Sequence, residues 1–204
     1  MLSATRPYGT TIPITIKGHP MNHAIHLATA ASLALVSISP AFASPETLQL
    51  TPGNMLAQTH SSAMLFTVTG TYRQLAGTLT FDPVAKTCAV DVTFQTRSLA
   101  LPNAIVRGQV MAKDFLDPQK YPTSRYVGTC ADNGTMMIGN LTNHGQTHKF
   151  DMKITYVVKD GKLIGIDTEG AFNRYHWGLN GESMTVGKMI RVTNKISLDG
   201  KPPT

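Results

Sequence analysis

The chain has 204 residues, is 42% hydrophobic and 15% charged, and carries a formal charge of +6. That is enough for one domain with a sizeable core, and it excludes a disordered, charge-rich chain. The basic residues are scattered along the sequence, Lys149, Lys153, Lys159, Lys162, Arg191 and Lys195 among them, without a cluster or stacking aromatics. This excludes a nucleic-acid footprint and reads as a mildly basic, soluble surface, with weak, transient contact with an anionic membrane surface as the alternative.

Residues 21–43 read as a secretory signal, with an uncleaved anchor as the alternative. The apolar run from Ala24 to Ile38 is short, Pro40 breaks it, and Ala41-Phe42-Ala43 supplies small residues before a cleavage site. No Lys or Arg lies between Met21 and Ala43, so the positive charge of the segment comes from Arg6 and Lys17. Residues 1–20 are then either a long leading region or an upstream extension of the reading frame. Cleavage between Ala43 and Ser44 predicts a periplasmic protein of residues 44–204. Without Arg6 and Lys17 it keeps sixteen basic residues against twelve acidic, a charge of +4.

The rest alternates like strand. Phe66 and Val68 open one segment, and Gly77-Thr-Leu-Thr-Phe-Asp-Pro83 is a second. Cys88, Val90, Val92 and Phe94 share one face, with Ala89, Asp91 and Thr93 on the other. Ser124, Tyr126, Gly128 and Cys130 share a face, then Met137, Gly139 and Leu141, then Met152, Ile154 and Tyr156. Ile164, Ile166 and Phe172 mark the next strand, and Ile190, Val192, Asn194 and Ile196 the last. Asn133-Gly134, His144-Gly145 and Asp160-Gly161 are tight-turn signals, because these residues tolerate positive φ. The pattern predicts an all-β fold, an antiparallel eight-stranded barrel or sandwich. Its inward Met and aromatic residues either fill a dry core or line an apolar cavity.

One stretch breaks the alternation. From Asn103 to Pro122, Val106, Val110, Met111 and Phe115 recur at helical spacing behind Asn103 as N-cap. Gly108 weakens this helix and Pro118 ends it. A short helix crossing between strands is either a lid on a barrel or a surface crossover.

Chemistry-bearing motifs are sparse. His144 and His148 flank a turn and are not placed as a metal pair, and no catalytic residue or metal ligand is expected. Ser61 and Ser62 beside His60 lack a nucleophile elbow. Cys88 and Cys130 fall level on facing strands if those around Val90 and Tyr126 pair antiparallel, which reads as a disulfide in an oxidising compartment or as two buried thiols.

Together these residues resemble the YceI-like family of secreted polyisoprenoid-binding proteins. The likeness runs from Thr59-His60-Ser61-Ser62 through Lys113-Asp114-Phe115-Leu116-Asp117 and Tyr121-Pro122. It continues in Phe172-Asn173-Arg174, Trp177-Gly178-Leu179 and Val186-Gly187. Relatives often carry an acidic residue and a histidine where Arg107 and Gln109 stand here. The resemblance implies a lipocalin-like barrel with one short crossover helix, and a carrier rather than an enzyme. No cofactor follows from it, only a bound isoprenoid lipid or quinone as ligand. It makes the inward rows the ligand lining: Phe66, Val68, Val90, Val92 and Phe94, then Met152, Ile154, Tyr156, Ile164 and Ile166. Val110, Tyr126, Phe172, Trp177, Ile190 and Val192 complete that set. Arg107, Gln109 or His176 would orient a head group at the mouth. The alternatives are an enzyme on a small apolar substrate with His176 as base, and a packed structural or stress module without ligand.

Overall fold

The computed structural model describes residues 44–64 and 66–203. The predicted signal segment, residues 1–43, lies outside the described residues. Among the described residues, twelve strands and one α-helix follow in order. The strands are β1 (Glu46–Leu50), β2 (Met55–Ala63), β3 (Phe66–Tyr72), β4 (Leu75–Asp82), β5 (Thr87–Gln95) and β6 (Leu99–Ala100). After helix α1 (Ala104–Val110) come β7 (Thr123–Ala131), β8 (Met136–Asn143), β9 (Gln146–Lys149), β10 (Met152–Lys159), β11 (Lys162–Asn173) and β12 (Val186–Ser197).

All join one antiparallel sheet in the order β1-β4-β5-β7-β8-β10-β11-β12-β2-β3-β6, with β9 beside β8. The sheet curls back on itself. β5 runs through a 3-10 turn at Thr96–Ser98 into β6, which pairs with β3. Arg73 N donates to Ser98 O, and Gln95 N to Gln74 O, across the same seam. The class is the predicted antiparallel barrel, but twelve strands replace eight. The four additions carry no apolar alternation that a sequence pattern could report. β6 has two residues, β9 is exposed throughout, β1 buries only Leu50 fully, and β2 faces inward with Ala57, Thr59 and Ser61.

Turn chemistry follows the residues. Asn133, Gly134, His144, Gly145, Asp160 and Gly161 all take positive φ, and the ladders of β8–β9 and β10–β11 close directly on the last two pairs. The helix is shorter than its periodicity predicts. Asn103 caps it, accepting from Val106 N at 2.9 Å, but it ends at Val110. Residues 111–121 continue as turns, with Asp117 at φ 40°. Gly108 and Pro118 outweigh the apolar spacing, and tertiary burial of Phe115 and Leu116 replaces helical pairing.

Candidate functional site

The inward faces form a continuous apolar core, and three cavities lie in series through it. The first, about 70 Å³, sits mid-barrel among Val90, Val92, Phe94, Tyr126, Met152, Phe172 and Val192. The second, about 230 Å³, lies beneath α1 and is bordered by Phe66, Val68, Val106, Val110 and Phe115. The third, about 10 Å³, lies at the opposite end among Ile154, Tyr156 and Ile166, beside Cys88 and Cys130. Thr59 borders both the first and second, and Met137 both the first and third.

The register explains why these side chains meet. Val92 lies opposite Tyr126, and Phe94 opposite Ser124, so β5 and β7 present one wall. Gly128 and Gly139 face each other across β7 and β8. A Cβ on either would stand 2.7 Å from the Tyr126 hydroxyl, so the glycine pair makes room for that ring at the cavity. Burial and the Asp151 carboxylate push the Tyr126 phenol well above its ordinary pKa, and burial also raises that of Tyr72, against the Ser124 hydrogen bond. Both phenols therefore stay protonated.

The expected liners sit at different depths, and three of them border no cavity. Phe66 is 61% exposed, because β3 begins beyond the barrel wall, and it borders the second cavity at its opening. Tyr156 is 36% exposed, near the end of a strand that overruns the core. Ile164 borders none of the three cavities; the register shifts between Val157 and Val158, making 164 the extra residue of a bulge, and Leu163 packs on the core instead. Trp177 and Ile190 are buried in the core without bordering a cavity. The Trp177 indole donates to Leu141 O at 3.0 Å.

The expected head-group residues are likewise redistributed. Arg107 donates to Leu99 O and Arg97 O, which uses its guanidinium on backbone. His176 is exposed, accepts weakly from Asn173 Nδ2 at 3.5 Å and borders none of the three cavities. Gln109 stands at the exposed rim of the second cavity. His144 donates to Trp177 O and His148 packs edge-on against the Trp177 ring, so this pair supports the loop after β11. Among the described residues no group of three His, Cys, Asp or Glu could hold a metal ion.

Other residues were missed. Met55, Ala57, Tyr72 and Asn143 border the first cavity, and so do Thr168 and Asn194. Their signal was present in part: Thr168 and Asn194 hold inward places in the alternation of β11 and β12, where polar residues interrupt an apolar row.

The two cysteines are joined, with Cα atoms 4.9 Å apart, one step beyond the Ala89–Thr129 pair of the β5–β7 ladder. At the other end Arg174 is fully buried. Its guanidinium donates to the carbonyls of Leu179, Gly181, Val186 and Gly187 and to the Tyr175 hydroxyl, and it stacks over Phe115 and Tyr175. One side chain thereby shapes the 178–187 loop beside the second cavity.

A curled antiparallel barrel with an apolar interior and a helix over one cavity defines a lipocalin-like barrel. Within that class, the YceI-like domain matches residues 49–199, and the chain belongs to the YceI-like family. A UPF0312 protein of Pseudomonas savastanoi pv. phaseolicola is 29% identical over 126 residues, 57% of this chain and 66% of that protein. A UPF0312 protein of Pseudomonas putida is 30% identical over 128 residues, with the same shares. The match thus spans just under two thirds of these relatives' length. The fold is shared with BcnA of Burkholderia cenocepacia (TM-score 0.57, 17% identity, 70% of this chain and 95% of that one). It is shared also with a polyisoprenoid-binding domain from Saccharophagus degradans implicated in plant cell wall breakdown (TM-score 0.56, 9% identity, 76% and 98%).

Proposed function

We propose that this protein is a periplasmic carrier that holds one extended isoprenoid-type lipid, a polyprenyl chain or a quinone, along the barrel axis. The observation that carries the reading is the series of three largely apolar cavities, successive members of which share Thr59 and Met137 as bordering residues. The polyisoprenoid binding named for the Saccharophagus degradans domain, a protein of the same fold, supports it. The chain enters beneath α1, where Met64 and Phe66 are exposed at the rim, and runs inward. The mid-barrel cavity is narrow. Met55, Met137 and Met152 border it, and unbranched thioethers can repack around an irregular chain. Each buried methylene contributes roughly 0.8 kcal/mol. Ordering a flexible group costs roughly 0.5–1.5 kcal/mol. Affinity therefore grows with chain length until the series is filled. Binding, not turnover, is the activity this lining suits. Export through cleavage after Ala43 puts the carrier beside the membrane that supplies its lipid.

The test is organic extraction of protein purified without detergent from an exporting host, followed by mass spectrometry. The expected result is a prenyl lipid near one per chain, on a protein whose intact mass begins at Ser44. An Ala57→Leu variant, which fills the mid-barrel cavity, should carry less. An extract without lipid, together with no uptake of added prenyl lipid, would leave the packed module as the better reading.

A further inference from the structure

We propose that the barrel takes its ligand polar end first, and that Asn194, deep in the first cavity, accepts a hydrogen bond from a hydroxyl on that end. The ligand class is then a long-chain alcohol, phenol or hydroquinone, as opposed to a hydrocarbon or an oxidised quinone. This deepens the lipid-carrier reading and rests on it.

Asn194 is 5% exposed, opposite Thr168 on one side and Ala57 on the other. Its Nδ2 donates to Thr168 Oγ1 at 2.9 Å and to Met152 Sδ at 3.6 Å. Thr168 Oγ1 donates in turn to Met152 Sδ at 3.6 Å. All three residues border the first cavity. No hydrogen in this node is directed at the Asn194 carbonyl oxygen, which is left buried without a partner. A buried amide oxygen without a donor is destabilising, and an apolar side chain would fill the same place without that cost. What complements the site is a donor arriving through the cavity.

The rest of the channel argues for the same orientation. Across the first cavity, Ser124 donates to Asn143 at 2.9 Å and also hydrogen-bonds Tyr72, and no buried polar atom of that group is left without a partner. At the mouth, Glu182 accepts from Thr185 and Gln109 stands in solvent, while Arg107 does not border the second cavity and is bound to backbone. Met64 and Phe66 there suit a hydrocarbon tail. His144 Nε2 is also buried without a partner, but His144 packs on Tyr121 and borders none of the three cavities.

The full chain is titrated with geranylgeraniol, which carries a hydroxyl donor, and with its methyl ether, which can only accept. The wild type should prefer the alcohol by about tenfold, the scale of one buried hydrogen bond gained or left unmade. Asn194→Leu should lose that preference by weakening the alcohol while leaving the ether bound. Asn194→Ser, shorter but still polar, should reduce the preference and serves where the leucine variant does not fold. Equal affinities in the wild type overturn the inference and leave the carrier reading standing. A preference that persists in both variants overturns the assignment to Asn194. Binding of neither compound overturns both readings.

Discussion

At one end of the barrel the Cys88–Cys130 disulfide ties β5 to β7, two of the turns close on positive-φ pairs, and the cavity measures about 10 Å³. At the other end the cavity beneath α1 measures about 230 Å³, and Met64, Phe66 and Met184 are exposed. The helix there has seven residues and buries none of them fully. The closed end is held by covalent and ladder constraints. The open end is held mainly by side chains on irregular backbone, the buried Arg174 and the Trp177–His144 contacts among them. A barrel that must admit a chain cannot be equally well packed throughout, and low local packing density is what lets an element move.

Removing the disulfide should have the largest effect. Closing a loop over a sequence separation of 42 stabilises the fold by about 4 kcal/mol in the chain-entropy account. A Cys88→Ala/Cys130→Ala double variant should lose about that much in urea unfolding while keeping its lipid uptake. A loss below about 1 kcal/mol would mean that the β5–β7 ladder alone closes that end.

Arg174→Lys probes the other end. An ammonium has three donors where the guanidinium uses five, so two of the carbonyl or hydroxyl partners lose theirs. The expected cost is about 2–3 kcal/mol. Amide exchange should quicken in 178–187 and stay unchanged around Cys88 and Cys130. Uniform quickening would remove the distinction between the ends.

The smallest effect comes from pH. On the outer face His60 bridges Thr69 and Thr193, linking β2 to β3 and β12. Burial first, then the Arg191 charge, lowers its pKa below the ordinary 6.5, with Glu169 opposing. Its folded form is therefore the neutral one. The stability it contributes is complete above 6.5 and is lost as pH falls through the lower folded value. The urea midpoint of the wild type should fall between pH 7.5 and 5.5, and His60→Gln should flatten part of that slope. Identical slopes in the two proteins would show that His60 contributes nothing to this seam.

Much of this molecule is legible in its residues. The period-two rows of β5, β7, β10 and β12 determine which side chains turn inward, since alternate residues of a strand take opposite faces. Asn-Gly, His-Gly and Asp-Gly pairs determine where the chain reverses, because few other residues take positive φ there. The level of Cys88 with Cys130 follows from the same rows. What the tertiary structure alone decides is where the rows stop and which of them meet. Phe66 and Tyr156 continue their patterns past the edge of the core, and a bulge removes Ile164 from its face. Arg107 finds backbone carbonyls within reach of its helix, and Asn194 finds Thr168 across a ladder that joins distant segments. Periodicity is a local property of the backbone. Closure, bulges and the partners of a buried polar group depend on how strands far apart in the chain come into register.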